Sequence, residues 1–221
     1  HANDRVIFAD EDLLPLLEPL WDKIPCVELL VICRHGEGGE SSFKNQIDYE
    51  DFIAGQETTY EWPDIDENSP MGLCYTSGTT GKPKGVMYTN RSTYLHTLAE
   101  CLTDSIGLSS LDSLLGIVPM FHAMGWGLPF CASMLGCKQV MPHRFMVPDA
   151  FLELMHEEEV TISAGVPTIW QGVKAALEAE PGKYDLSNLA RLTCGGSAPP
   201  VSMMRWYWDS HQIEMIQGWG M

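Results

Sequence analysis

Twelve consecutive residues, Tyr75-Thr-Ser-Gly-Thr-Thr-Gly-Lys-Pro-Lys-Gly-Val86, hold three glycines, four aliphatic hydroxyl residues and two lysines. Such a mixture suits phosphate. Gly78, Gly81 and Gly85 let successive backbone N–H groups turn toward one anion, Thr76, Ser77, Thr79 and Thr80 add hydroxyl donors, and Lys82 and Lys84 add positive charge. A Walker A loop is excluded, because it needs glycine six residues before its lysine and Ser or Thr directly after it. Thr76 and Pro83 stand at those places relative to Lys82. A flexible Gly/Ser linker has no use for the Pro83-Lys84-Gly85 end or for the apolar strand-like segments on either side. Elsewhere His122 lies among apolar residues, where a histidine more often fills a core than does chemistry. Gly195 and Gly196 form a turn after an apolar run, which taken alone is structural.

These residues need a scaffold, and the pattern supplies one. Arg5 to Asp10 reads as a strand, Leu13, Leu14, Leu17 and Leu20 have helical spacing, and Val27 to Cys33 is a second buried strand. A strand, helix and strand in that order form a parallel βαβ unit. Residues 34 to 70 are polar, acidic and broken by Gly and Pro, with a helical hint only at Tyr49 to Ala54, and read as surface connection. Tyr94, Leu95, Leu98, Cys101 and Leu102 mark a helix with Asn90 or Ser92 as N-cap candidates. Strands are expected at Leu114 to Val118, Lys138 to Met141, Thr161 to Val166, Arg191 to Cys194 and Glu214 to Gln217. Helices are expected at Ala123 to Leu135, Asp149 to Glu158, Ile169 to Leu177 and from near Pro200. The fold class is therefore α/β, with doubly wound, mostly parallel sheets and flanking helices, and ligands belong at the carboxyl ends of the strands.

Thirteen basic residues against thirty acidic ones leave a net charge of -17, which repels nucleic acid and offers no basic stripe to bind it. A nucleotide would have to be held by local donors and a metal ion, so Mg²⁺ is implied. The seven cysteines are odd in number, lack CxxC spacing and read as buried reduced thiols. With no apolar run of membrane-span length and no signal-peptide pattern, the expectation is a cytoplasmic protein without a transmembrane segment. A homodimer is an admissible assembly.

The string YTSGTTGKPKG resembles the signature loop of the adenylate-forming, or AMP-binding, superfamily, which includes acyl-CoA synthetases, luciferases and peptide-synthetase adenylation domains. In that pattern Lys84 takes the place of the lysine in the PKG end, and Lys82 falls in a variable slot. Pro119-Met-Phe-His-Ala-Met-Gly-Trp126 resembles the family's PxFH segment, which puts His122 where acyl pocket and nucleotide meet. Gly195-Gly-Ser-Ala-Pro199 is similar to the turn along the adenine. Gln217-Gly-Trp-Gly-Met221 looks like the start of the family's QGYGMTE motif, with Trp219 in the tyrosine's place. The resemblance implies that Thr79, Lys84 and His122 are catalytic, and that the nucleotide is bound by Thr76, Ser77, Gly78, Thr79, Thr80, Gly81, Lys82, Lys84, Gly195, Gly196, Ser197, Ala198, Pro199, Gln217, Gly218, Trp219 and Gly220. It places the acid against His122, Trp126, Val166 and Gly218, and it assigns no metal ligand among residues 1–221.

By the same resemblance a carboxylate attacks the α-phosphorus of ATP, and coenzyme A captures the acyl-adenylate. Apolar and aromatic residues from Phe121 to Phe130, with Val166, Pro167 and Trp170, favour a fatty or other apolar acid, although each could equally be core. Residues 1–221 correspond to part of the large domain. The natural N-terminus, the Thr-Glu pair after Met221, the ribose-binding aspartate and the small C-terminal lid domain are expected to lie outside it, so these residues alone should form no acyl-adenylate. Rival readings are a peptide-synthetase adenylation domain, a luciferase-like enzyme, or an inert module that keeps only the nucleotide loop.

Overall fold

The structure, a computed structural model, describes residues 2–36, 42–76 and 81–220. The chain divides into two compact units, residues 1–63 and 64–221.

In the first unit β1 (Val6–Asp10) is followed by 3-10 turns and the short α1 (Leu14–Leu17), then β2 (Leu29–Cys33), β3 (Gln46–Asp48) and α2 (Tyr49–Ile53). The three strands are parallel, in the order β1-β2-β3. The expected helix on the leucine spacing is instead one short α-turn between two 3-10 segments. Pro15 and Pro19 each start a new segment, because a proline has no N–H to continue the helical ladder. Strand β3 sits in the stretch that reads as connection, since three residues at a sheet edge carry almost no hydrophobic signal.

The second unit opens with an antiparallel hairpin, β4 (Pro70–Thr76) and β5 (Lys84–Thr89), whose last pair is Thr76 opposite Lys84. Helix α3 (Asn90–Glu100) follows. Its N-cap is Thr89 rather than Asn90 or Ser92: Ser92 N–H donates to Thr89 Oγ1 at 3.1 Å, and Thr89 N–H donates to Ser92 Oγ at 3.0 Å. The chain then alternates through β6 (Ser113–Gly116), α4 (Ala123–Trp126), α5 (Leu128–Leu135), β7 (Lys138–Val140), α6 (Pro148–Glu157), β8 (Ile162–Gly165), α7 (Pro167–Ala179), β9 (Arg191–Cys194), α8 (Val201–His211) and β10 (Glu214–Gln217). Strands β10-β9-β8-β6-β7 form one wholly parallel sheet in that order.

Both faces of this sheet are covered, as neighbouring residues of β6 show. Leu115 joins a core with Phe151, Leu152, Trp170, Val173 and Tyr207 from α6, α7 and α8. Leu114 points the other way, into a core with Leu128, Cys131 and Ala132 of α5. Trp170 belongs to the first of these cores: it is fully buried, its indole N–H donates to Thr193 O at 3.2 Å, and its carbonyl accepts from Tyr207 OH at 2.7 Å. It is therefore core and not pocket lining. So is Leu128.

The single long helix expected from Ala123 to Leu135 is broken. Ala123, Met124, Gly125, Trp126 and Gly127 all have positive φ, from 47° to 79°, so this short turn is left-handed, and a right-handed helix begins only at Leu128. For the three non-glycine residues that conformation costs about 1–2 kcal/mol each.

Candidate active site

Ser77, Gly78, Thr79 and Thr80, the centre of the glycine- and hydroxyl-rich string, lie outside the described residues. The structure describes the two strand ends that carry them. Thr76 closes β4, Lys84 opens β5 directly opposite, and Gly81 takes a φ of 84° that glycine adopts freely. Thr76, Gly81, Lys82 and Lys84 are all exposed. An antiparallel hairpin thus holds Thr76 and Lys84 in fixed register, with the side chains of Thr76, Lys82 and Lys84 toward solvent.

The hairpin is seated on the segment that carries His122. The Cys74 thiol donates to Met120 O at 3.7 Å and to Met124 Sδ at 3.4 Å. A Cβ added at Gly72 would come within 2.7 Å of Met124 Cε, so glycine lets strand and turn approach. Residues 117–122 leave the carboxyl end of β6, and His122 stands exposed at the head of the left-handed turn, its own N–H bonded to Pro119 O at 3.0 Å. Gly125 N–H donates to His122 O at 3.1 Å and Gly127 N–H to Met124 O at 3.2 Å. The turn thereby directs Trp126 across the neighbouring strand ends.

There the remaining segments converge. An added Cβ at Gly195 would lie 2.7 Å from Trp126 Cη2 and 3.4 Å from Gly218 O. Gly196, with φ of 79°, sets its α-carbon against Val166, where a Cβ would meet Cγ1 at 3.2 Å. Backbone bonds extend the sheet past its last paired residues, Gly195 N–H to Gly165 O at 3.0 Å and Gly218 N–H to Cys194 O at 2.8 Å. Trp126, Val166, Gly195, Gly196 and Gly218 therefore meet at the carboxyl ends of β8, β9 and β10. Beside them Ser197 and Ala198 are exposed and Pro199 is buried, while Gln217, Gly220 and Trp219 are exposed, the indole at 83%. Such a ring is free to stack on a planar ligand. Met221 is outside the described residues.

Two features carried no signal in the residue pattern. One is the left-handed turn, hinted at only by Gly125 and Gly127 inside an apolar run. The other is Glu100, a charged helix-end residue that is 4% exposed and lies beneath Gly127. Burial raises its carboxyl to about 8. Burial likewise pushes the Cys194 thiol, behind Gly195, up to about 11, so it stays a neutral thiol. Among the described residues no group of three or more His, Cys, Asp or Glu side chains is arranged to hold a metal ion. Likewise no helix among them is long and apolar enough to cross a membrane.

A wholly parallel sheet covered on both faces, with glycine turns at the strands' carboxyl ends, is a doubly wound α/β architecture of the kind that carries its ligands at those ends. The chain belongs to the AMP-binding enzyme family, whose model matches residues 1–221. It is 41% identical over its whole length to a medium-chain-fatty-acid–CoA ligase of Ectopseudomonas oleovorans and covers 40% of that protein. It is 39% identical to a 3-methylmercaptopropionyl-CoA ligase of Ruegeria pomeroyi, again over the whole chain and 41% of the relative. The chain thus spans about two fifths of the length of these curated relatives. In fold it resembles the crystal structure of the anthranilate CoA ligase AuaEII in complex with anthranoyl-AMP, with a TM-score of 0.84 at 24% identity, covering 99% of this chain and 41% of that one.

Proposed function

We propose that the protein to which this chain belongs activates a carboxylic acid with ATP and passes the acyl group to coenzyme A. The support is the family together with one geometric fact: the Trp126 ring and the Gly218 turn both lie against Gly195 at the strand ends. The pairing of β9 and β10 brings the two glycine turns together, and Trp126 joins them at the strand ends where ligands of such sheets lie.

In this reading Thr76, Ser77, Thr79, Thr80, Lys82, Lys84 and the loop amides hold the β- and γ-phosphates. Gly195, Gly196, Ser197, Ala198, Pro199, Gln217, Gly218, Trp219 and Gly220 flank the adenosine. A carboxylate needs no general base, so the protein's task is to align it in line with the α-phosphorus and to stabilise charge as pyrophosphate departs. Lys84 supplies that charge. His122 stands between nucleotide and acid and donates to an oxygen of the developing adenylate. The coenzyme A thiol then attacks the acyl carbon and AMP leaves. Magnesium accompanies such chemistry when bound to phosphate. The free cysteines fit a reducing cytoplasm.

For the acid, Trp126 and Val166 offer apolar surface and suit a fatty or other apolar chain. Relatives named for medium-chain fatty acids and for 3-methylmercaptopropionate support that class. ATP–pyrophosphate exchange by the full-length protein with acids of graded chain length tests the proposal. Exchange that depends on an apolar acid, and a thioester formed on adding coenzyme A, is the expected result. Absence of exchange with every acid would overturn it.

A further inference from the structure

Glu100 lies at the end of α3 with its side chain 5% exposed, and its Oε2 is buried without a hydrogen-bond partner. A carboxyl so placed calls for an explanation, since buried polar atoms are nearly always bonded. Its neighbour is the left-handed turn. At Gly127 an added Cβ would meet Glu100 Oε2 at 3.0 Å and His96 Nδ1 at 2.5 Å, so the carboxyl and the imidazole press together against the residue that ends the turn. The other oxygen, Oε1, is 3.7 Å from His96 Nδ1.

We propose that Glu100, backed by His96, is a positioning residue that sets the left-handed turn, and through it the place of Trp126 against Gly195. The inference rests on the reading of Trp126 as part of an acid-binding wall. Mechanically the chain of contacts is short. Glu100 bears on Gly127, Gly127 follows Trp126 directly, and Trp126 touches Gly195. The turn carries strain at Ala123, Met124 and Trp126, so it keeps its form only while its surroundings hold it. Near the carboxyl are His96 from its own helix and Cys131 from α5. Among the described residues its one partner at ion-pair distance is His96. Burial raises the carboxyl to about 8, so the neutral acid fills the site below that pH, and above it a charge forms that has, among the described residues, His96 alone at ion-pair distance. The ionised group must then draw water or move, and Gly127 moves with it.

The test uses the full-length protein labelled with fluorotryptophan, the Trp126 resonance being assigned with Trp126→Phe. In the wild type that resonance should shift with a midpoint near 8, and in Glu100→Gln it should stay still. The KM for an apolar acid should rise about tenfold across the same range while the KM for ATP holds, and Glu100→Gln should keep the low-pH value throughout. Glu100→Met carries the same expectation should the amide variant fold poorly. A Trp126 resonance that is flat in the wild type, or that titrates unchanged in both variants, overturns the proposal. A normal fluorine titration in a protein that activates no acid overturns the proposed function and leaves this positioning role standing.

Discussion

The tip of the Trp126 indole lies against Gly195 so closely that a methyl group there would sit 2.7 Å from Cη2 and 3.1 Å from Cζ3. Two segments far apart in sequence are thereby locked face to face at the mouth of the sheet. The Gly195 backbone carries no positive φ, so its need for glycine is one of space alone.

Gly195→Ala should therefore act by pushing Trp126 aside. A displaced wall of about an ångström costs on the order of tenfold to a hundredfold in kcat/KM for the acid. Trp126→Phe shortens the ring and should recover part of that loss in the double variant, a coupling that a cycle of the four proteins measures. Strict additivity of the two changes would sink the contact as a functional one.

Lys84→Ala should lower ATP–pyrophosphate exchange on the order of a hundredfold to a thousandfold, the usual effect of removing one preorganised donor from developing charge. Lys84 is an exposed strand residue opposite Thr76, so stability should change by less than about 0.5 kcal/mol. Lys82→Ala, two residues outside the hairpin pairing, should cost less than Lys84→Ala. Equal losses in the two variants would show that the register of β5 does not select the working lysine.

The string from Tyr75 to Val86 stands out in the chain because its glycines, hydroxyls and lysines are contiguous, and the structure describes the strand ends on either side of its centre. The alternation of strands and helices was equally legible, since Leu30, Val31 and Ile32 or Ile162 to Gly165 are buried runs whose hydrophobicity is local. What could not be read depends on neighbours. Apolar density from Ala123 to Leu135 fits one helix, whereas its first residues are left-handed and pack against Cys74, Gly195 and Glu100, neighbours that the local pattern does not name. Trp170 has the look of a pocket residue until Thr193 and Tyr207 are seen to bond its indole N–H and its carbonyl inside the core. Glu100 carries no signal in the residue pattern, because burial at a helix end is decided by what packs over it.

Asp112 ties the amino ends of three strands together. Its carboxylate accepts from Thr161 Oγ1 at 2.7 Å, Arg191 Nη2 at 3.0 Å, Ser109 N–H at 2.8 Å and Ser109 Oγ at 2.9 Å. Burial pushes this carboxyl up, but the bonds from Thr161 and Ser109 and the Arg191 charge outweigh it and hold it below its usual range. A folded-state value below the unfolded one stabilises the fold above the unfolded value of 3.8, and that contribution is lost as pH falls through the folded value. Asp112→Asn should cost about 1–3 kcal/mol at neutral pH and flatten the acid limb of the stability curve, as measured by urea unfolding.

Glu100 has the opposite sign. Its folded value of about 8 lies above the ordinary 4.5, so its favourable contribution is complete below pH 4.5 and is lost as pH rises through 8. Urea unfolding of Glu100→Gln beside wild type should show the variant gaining relative stability across that window and levelling off above it. A constant difference from low to high pH would mean that the carboxyl finds a partner on ionisation.

Gly127 and Gly136 bracket α5, and both need positive φ, 79° and 70°. Their surroundings differ. Nothing lies within 4 Å of a Cβ at Gly136, whereas one at Gly127 meets His96 Nδ1, His96 Cε1 and Glu100 Oε2 at 2.5, 2.8 and 3.0 Å. Gly136→Ala should cost about 1 kcal/mol, the left-handed penalty alone. Gly127→Ala adds a collision, and overpacking of this kind brings about 1–3 kcal/mol more. His96 is largely exposed and can swing away, but Glu100 is held in the core. Removing the imidazole in Gly127→Ala/His96→Ala should therefore restore only part of the loss. Full restoration would mean that Glu100 yields freely at Gly127, and equal costs for the two single alanine variants would mean that neither side chain bears on the turn.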